Sequence, residues 1–291
     1  MPAVDIPQGR IAYRVAGPQD STLPPVVLVH GLLVDASLWT ATASALADRG
    51  IRSYAPDLPL GAHRIPWPAG TDLSPRGIAH LLGSFIAELG LTDVTLVGND
   101  TGGALCQFLV DTDHSRIGRL VLTNCDAFDQ FPPAPIDLLV KAGRSPARLR
   151  VLAAAVRVKA LRHSIAGYGG LARDPLDAAL TATWVAPLRA DAAIRRDAAA
   201  FLRGISPTDL LDVSTRLHTF GRPVRLVWGT GDRFFKLSLA HRLRDAFPDA
   251  TLVELPGART FIPLDEPRRL AEEIALAGAA RHGTTQRSSD C

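Results

Sequence analysis

The chain has 291 residues, 47% of them hydrophobic, so it is long enough to bury one large core with or without an insertion. Its 32 basic residues nearly balance 29 acidic ones, and we interpret the arginine-dense stretch between residues 144 and 162 as a solvated helix face. This balance argues against nucleic acid as a partner. No apolar run reaches membrane-spanning length, so we expect no membrane partner.

The cysteines and the N-terminal residues indicate the cellular compartment. Cys106, Cys125 and Cys291 form neither a CxxC pair nor an even set, which favours a reducing environment and argues against structural zinc. The opening segment MPAVDIPQGR lacks the basic start and apolar stretch of a secretory signal. We therefore expect a cytoplasmic protein without a bound metal. Its oligomeric state, monomer or homodimer, stays open.

Strand-like and helix-like stretches alternate over the first 125 residues. This alternation predicts the α/β class, with a mostly parallel sheet flanked by helices. Helices are expected over 36–49 and 103–110, with a third that begins at Ser74 and has Pro75 in its first position. The predicted strands cover residues 11–17, 24–31, 51–58, 93–98 and 117–125.

The strand pattern stops after residue 125 and resumes near residue 223. Residues 127–218 are rich in Ala and Arg at helical spacing, and they are too many for a connecting loop, so we predict a helical lid insertion. Strands are expected again at 223–229 and 250–257, with a helix at 237–247 and a last helix near Asp265. The predicted domains are a core of 1–126 and 219–280, the lid at 127–218, and a disordered tail at 281–291.

The most informative segment is VGNDTGG, residues 97–103, in which Asp100 lies between two glycines where a strand meets a helix. Gly-x-nucleophile-x-Gly is the pattern of a nucleophile elbow, a strained turn that presents one side chain at the start of a helix. A carboxylate there attacks carbon without an activating base, because it is already ionised near neutral pH. The simpler interpretation of Asp100 is a helix N-cap.

Five motifs follow one another in the order and spacing of the α/β-hydrolase family: HGLLVDASLW, APDLPLGAHR, LVGNDTGGA, LVWGTGDRFF and PGARTFIPLDEP. The resemblance extends over residues 11–276. With an aspartate in the elbow, the chain resembles the branch that contains epoxide hydrolases and haloalkane or haloacid dehalogenases, which act through an alkyl-enzyme ester. Most esterases of the family carry serine there.

The resemblance implies roles for several residues. Asp100 would be the nucleophile, and the backbone N–H groups of Leu32, after His30-Gly31, and of Thr101 would form the oxyanion hole. Asp232 matches the acid that orients a catalytic histidine, and Asp126 matches an alternative position for that acid, although either could cap a turn. Trp184 suggests an apolar pocket lining, although burial in the core is the commoner role.

One position departs from the family pattern. Thr260 stands where the family has its catalytic histidine, and a threonine hydroxyl has no accessible titration with which to activate water. His63 is the most attractive substitute, because it lies in a loop after a predicted core strand, at the same rim as the elbow. A structural role in that loop is the alternative for His63.

Three functions remain open from the sequence. The first is an enzyme that uses Asp100 on a small or medium apolar organic substrate, hydrolysing an epoxide, carbon–halogen or ester bond. The second is a lyase, isomerase or cyclase with Asp100 as acid or base. The third is a small-molecule binder with a decayed hydrolase site. No dinucleotide fingerprint or phosphate-binding loop is present, so no cofactor is expected.

Overall fold

The computed structural model describes residues 1–134 and 136–279. Eight strands form one sheet in the order β1-β2-β4-β3-β5-β6-β7-β8. The first two strands run antiparallel to their neighbours and all the others are parallel. The strands are β1 (Ala3–Ile6), β2 (Gly9–Ala16), β3 (Val26–Val29), β4 (Ser53–Pro56), β5 (Val94–Asp100), β6 (Ile117–Cys125), β7 (Val224–Gly229) and β8 (Ala250–Leu255).

The central strands are buried on both faces, which explains their nearly continuous apolar sequences. Every residue of β3 and β6 is buried, as is every residue of β5 except Asp100 at its end. The prediction of a mostly parallel sheet with flanking helices is therefore confirmed. The sequence did not reveal β1, since four residues with one buried side chain give too short an alternation to stand out.

Helices cover both faces of the sheet. The predicted start of α2 is confirmed, because the Ser74 hydroxyl accepts a hydrogen bond from the Gly77 N–H and Pro75 is the first helical residue. Helices α2 and α3 pack together, as do α1 and α12. The core helices are α1 (Thr40–Ala47), α2 (Pro75–Glu88), α3 (Thr101–Thr112), α10 (Leu237–Ala246), α11 (Ile262–Asp265) and α12 (Pro267–Ala279).

Most of the remaining helices lie in the connection between β6 and β7, which are neighbours in the sheet and pair from Leu120 with Val224 to Thr123 with Val227. Within the described residues this connection contains α4 (Ile136–Gly143), α5 (Pro146–Ala155), α6 (Lys159–Arg162), α7 (Ala178–Ala190), α8 (Ala192–Gly204) and α9 (Asp209–Ser214). We refer to residues 127–218 as the helical segment.

One sequence prediction cannot be compared with the structure. The tail predicted at 281–291, with Cys291, lies outside the described residues. Over residues 1–134 and 136–279, each helix is too short or too polar to cross a bilayer.

Candidate active site

The turn between β5 and α3 has the strained geometry that the elbow pattern predicts. Asp100 has φ 55° and ψ −131°, in a region that non-glycine residues rarely adopt. Asp100 is the residue that precedes α3, but its side chain makes no capping hydrogen bond there, so the side-chain capping role is not seen. The neighbouring glycines are required by space: a Cβ at Gly98 would overlap Gly103, and one at Gly102 would overlap the carbonyl oxygen of Val29.

Backbone donors hold the Asp100 carboxylate. The Leu32 N–H donates to Oδ2 of Asp100 at 3.2 Å, and the Thr101 N–H also stabilises the charged form. Burial raises the pKa of Asp100 to about 7, the two N–H groups oppose this rise, and the charge of Asp232 adds to it. The residue as a whole keeps partial exposure.

The loop after β3 is fixed by His30. Its Nδ1–H donates to the Gly31 carbonyl at 2.9 Å, and its Nε2 accepts from the Leu58 N–H at 2.9 Å. A carbonyl only accepts and an amide N–H only donates, so these partners define a neutral imidazole. Burial lowers the pKa of His30, in agreement with a neutral ring. His30 therefore positions the Gly31–Leu32 turn and has no free nitrogen for proton transfer.

Gly31→Ala tests whether this turn must approach Asp100 closely. A Cβ at residue 31 would overlap the Asp100 carboxylate itself, so either the loop or the nucleophile must shift. We expect the rate of reaction at Asp100 to fall by ~100-fold or more, because displacement of a reacting group by about 1 Å has that cost. Gly221→Ala is the matched control, since no atom lies within 4 Å of the place that its added methyl group would occupy. Equal rates for wild type and Gly31→Ala would contradict the assigned geometry.

The structure gives His63 partners other than Asp100. Its Nδ1 accepts from the Gly61 N–H at 3.3 Å, and its Nε2–H donates to Oδ2 of Asp197 at 3.3 Å. His63 and Asp197 are both buried, and Asp197 also accepts from the Trp67 N–H at 2.9 Å. The ring therefore connects the loop after β4 to α8. These bonds support the structural alternative for His63 and leave neither nitrogen free as a base.

Thr260 lies beside Asp232, the predicted orienting acid. Its hydroxyl donates to Oδ2 of Asp232 at 2.8 Å, and the same oxygen accepts from Asn124 at 2.8 Å. The other oxygen accepts from the N–H groups of Phe234 at 2.7 Å and Phe235 at 3.1 Å. Burial raises the pKa of Asp232, which these four donors oppose. The acid thus keeps a hydrogen-bond partner at residue 260, but that partner has no basic nitrogen.

Two asparagines that sequence reasoning missed support this arrangement. The Asn99 amide donates to the Thr260 carbonyl at 2.6 Å and to the Thr123 hydroxyl at 2.8 Å. Asn124 donates to Asp232 and exchanges two further hydrogen bonds with the backbone of Gly229. Both lie near the carboxyl ends of buried strands. A polar side chain within such an apolar stretch needs a buried hydrogen-bond partner, and this was the sequence signal that could have identified both asparagines.

Asp126 lies beside the nucleophile in an environment that favours its neutral form. The residue is 2% exposed, and its Oδ1 has no hydrogen-bond partner among the described residues. Burial and the charge of Asp100 raise the pKa of Asp126 well above its ordinary range, and the Thr101 side chain only partly opposes this. Two carboxyl groups so placed oppose each other's ionisation, which raises the pKa of Asp126 further.

Trp184 is a core residue rather than the pocket lining that the sequence suggested. It is fully buried, its indole N–H donates to the Ser37 hydroxyl at 2.8 Å, and its ring packs against Tyr168 and Phe261. Of the predicted site residues, the structure gathers Gly31, Leu32, Thr101, Asp126 and Asp232 around Asp100, and places Thr260 against Asp232.

The model of the alpha/beta hydrolase fold family matches residues 24–267 of the chain. The chain belongs to the α/β-hydrolase family. It is 31% identical over 277 residues to "Haloalkane dehalogenase 2" of Mycobacterium bovis, an alignment that covers 93% of this chain and 92% of that protein. As a member of this family with such relatives, it is an enzyme of the hydrolase superfamily.

Two further comparisons extend this likeness. The chain is 29% identical over 280 residues to the "cis-3-alkyl-4-alkyloxetan-2-one decarboxylase" of Xanthomonas campestris pv. campestris, covering 91% of this chain and 90% of that protein. The crystal structure of haloalkane dehalogenase DbeA from Bradyrhizobium elkani matches with a TM-score of 0.77 at 20% identity, covering 96% of this chain and 98% of that chain. The latter likeness shows a common fold.

Proposed function

We propose that the protein opens an apolar carbon electrophile, an alkyl halide or a strained oxygen ring, by attack of Asp100 on carbon. The observation that carries this proposal is the Asp100 carboxylate on a strained elbow with the Leu32 N–H on its Oδ2. One oxygen is held by the backbone, which leaves the other to attack. Haloalkane dehalogenases among the relatives support the substrate class.

The first step needs no base. The free oxygen of Asp100 forms a bond to carbon while the carbon–halogen bond breaks, and the halide leaves with the bonding electron pair. The product is an alkyl ester of Asp100, whose carbonyl oxygen stays against the N–H groups of Leu32 and Thr101. For a strained ring, the leaving oxygen takes up a proton, for which the neutral Asp126 carboxyl is the adjacent donor.

The second step of ester hydrolysis lacks its usual base at residue 260, because Thr260 donates to Asp232 and accepts no proton from water. The described contacts of His30 and His63 also leave neither ring free. We therefore propose that hydrolysis of the ester is slow compared with its formation.

A second candidate is a reaction that uses no water, and the absence of histidine at residue 260 favours it specifically. Loss of CO₂ from an oxetan-2-one breaks one ring C–O bond and one C–C bond and forms a C=C bond, with no water consumed. A relative carries the name of such a decarboxylase. In this reaction the neutral Asp126 would donate a hydrogen bond to the departing oxygen.

Intact-protein mass spectrometry with 1-haloalkanes, epoxides and dialkyl oxetan-2-ones tests the proposal. We expect a one-to-one adduct that maps to Asp100. Its rate of formation should rise about tenfold per pH unit below pH 7 and level off above, since the ionised carboxylate attacks and burial raises the pKa of Asp100 to about 7.

The outcomes separate the two candidates. Alkene and CO₂ from the oxetan-2-one, without an adduct, would favour the water-free reaction. An adduct on another residue, or a rate that does not change between pH 5 and pH 8, would contradict attack by Asp100 with this pKa. Rapid multiple turnover of haloalkane without an adduct would contradict slow ester hydrolysis.

A further inference from the structure

The outer part of the helical segment combines two unusual surface features. Residues 136–166 contain seven basic residues and one acidic residue, a net charge of +6, whereas the other residues together carry −3. The same 31 residues contain five of the ten large apolar side chains that are exposed in the described part of the chain. These five are between 52% and 68% exposed: Leu138, Val151, Val158, Leu161 and Ile165.

Exposed apolar side chains and exposed arginines lie side by side on α5. Ala147, Val151 and Ala154 follow one another at spacings of four and three residues, so they form one exposed stripe along the helix. Arg148 and Arg150 are exposed on either side of this stripe. Leu149 and Ala153 occupy the opposite side of α5 and are buried. The helix therefore presents an apolar strip bordered by guanidinium groups to its surroundings.

A buried arginine makes this surface continuous with α6. The Arg162 guanidinium donates to the carbonyl oxygens of Val156 and Arg157 at the end of α5, and to Ala178 and Thr181 of α7. These bonds hold α6, with Leu161 exposed, against the end of α5. We call the exposed basic and apolar side chains of residues 136–166 the basic apolar surface.

We propose that the basic apolar surface docks on an anionic lipid bilayer, with the arginines at the headgroups and the apolar side chains in the interfacial region. Arg and Lys stems extend along apolar surface while their charged ends stay in water, which suits this interface. Lipid binding of this kind gains from buried apolar area and from attraction between basic residues and anionic headgroups. It requires no spanning helix.

The two features together favour lipid over other occupants. A polyanion such as nucleic acid would use the basic residues and has no need of exposed Val, Leu and Ile between them. A second copy of this surface would bring two strongly basic surfaces together, which opposes self-association. This inference differs from the expectation of a solvated helix face and of no membrane partner, which rested on charge balance and on the lack of a spanning segment.

Sedimentation with phosphatidylcholine vesicles, with and without 30% phosphatidylserine, tests the inference on the full chain. We expect binding to the anionic vesicles only, weakened in 0.5 M NaCl by screening. Arg148→Glu with Arg150→Glu should weaken it by ~30-fold or more, since each basic residue near an anionic surface contributes about a factor of five. Val151→Asn with Ile165→Asn should weaken it as well.

Matched controls use sites outside the surface. Arg244→Glu with Arg268→Glu changes the net charge equally at exposed arginines, and Leu211→Asn changes an exposed apolar residue; both should bind as the wild type does. Thermal unfolding checks that each variant is folded. Equal binding to neutral vesicles, no binding to either, or equal weakening by the controls would overturn the proposal. Binding to duplex DNA that the asparagine variants retain, or concentration-dependent dimerisation that they abolish, would assign the surface to that partner instead.

Discussion

Asp100→Asn is expected to abolish adduct formation and turnover while making the protein more stable at alkaline pH. An amide has no charge with which to attack carbon, so we expect a loss of roughly 10,000-fold or more. The substitution keeps the size of the side chain and removes the need to hold a charged carboxylate in the buried site. The rate is measured by intact-protein mass spectrometry and the stability by thermal or urea unfolding.

The pH dependence of the stability gain follows from the direction of the pKa shift. Burial raises the pKa of Asp100 to about 7, above its ordinary value, so the folded wild type loses stability as pH rises towards 7 and the carboxyl ionises. The gain from Asp100→Asn should therefore be larger at pH 8.5 than at pH 5, by ~2 kcal/mol.

Asp113→Asn is the matched control for both effects, because Asp113 lies at the other end of α3 and is exposed. It should leave the reaction unchanged and give no gain in stability at pH 8.5. Adduct formation by Asp100→Asn at the wild-type rate would contradict a nucleophilic Asp100. A stability gain independent of pH would contradict the raised pKa.

Thr260→His is expected to convert a long-lived Asp100 ester into one that hydrolyses. In the wild type, the Thr260 hydroxyl bonds to Oδ2 of Asp232 at 2.8 Å, and an imidazole at this position gains the same carboxylate as its orienting partner. A positioned general base accelerates such a step by ~100- to 10,000-fold, so the adduct lifetime should shorten by a factor in that range. Mass spectrometry after removal of excess substrate measures the lifetime.

Thr260→Gln controls for the size of the new side chain, because it retains a hydrogen-bond donor for Asp232 and has no titratable nitrogen. Residue 260 is fully buried, so both variants are expected to lose ~1–3 kcal/mol of stability through overpacking, measured by urea unfolding. If the adduct lives equally long in folded Thr260→His and in Thr260→Gln, then the lack of a base at residue 260 does not limit hydrolysis of the ester.

The elbow could be predicted from the sequence because it depends on local order. Glycines that flank Asp100, a buried strand before it and a helix after it are neighbours along the chain, and the structure confirms the turn that they imply. The parallel sheet could be predicted for the same reason, since β3, β5 and β6 are each apolar and lie between turn residues.

Contacts between residues far apart in the chain could not be predicted from the sequence. His63 meets Asp197, which is 134 residues away on α8, and Trp184 finds its hydrogen-bond acceptor in Ser37, 147 residues away. Whether a side chain of the helical segment reaches Asp100 or a core loop depends on how that segment packs on the core. No local pattern in a single sequence encodes this packing. The raised pKa of Asp126 was equally hidden, because it depends on burial.

The helical segment is built in two layers. The inner layer, α7 and α8, is bonded to core loops through Trp184, Asp197 and their partners, whereas α4 and α5 pack on α7 and α8 from outside. Substitutions on the outer layer therefore leave the surroundings of Asp100 in place. The proposed lipid-binding surface can therefore diverge independently of the proposed reaction at Asp100.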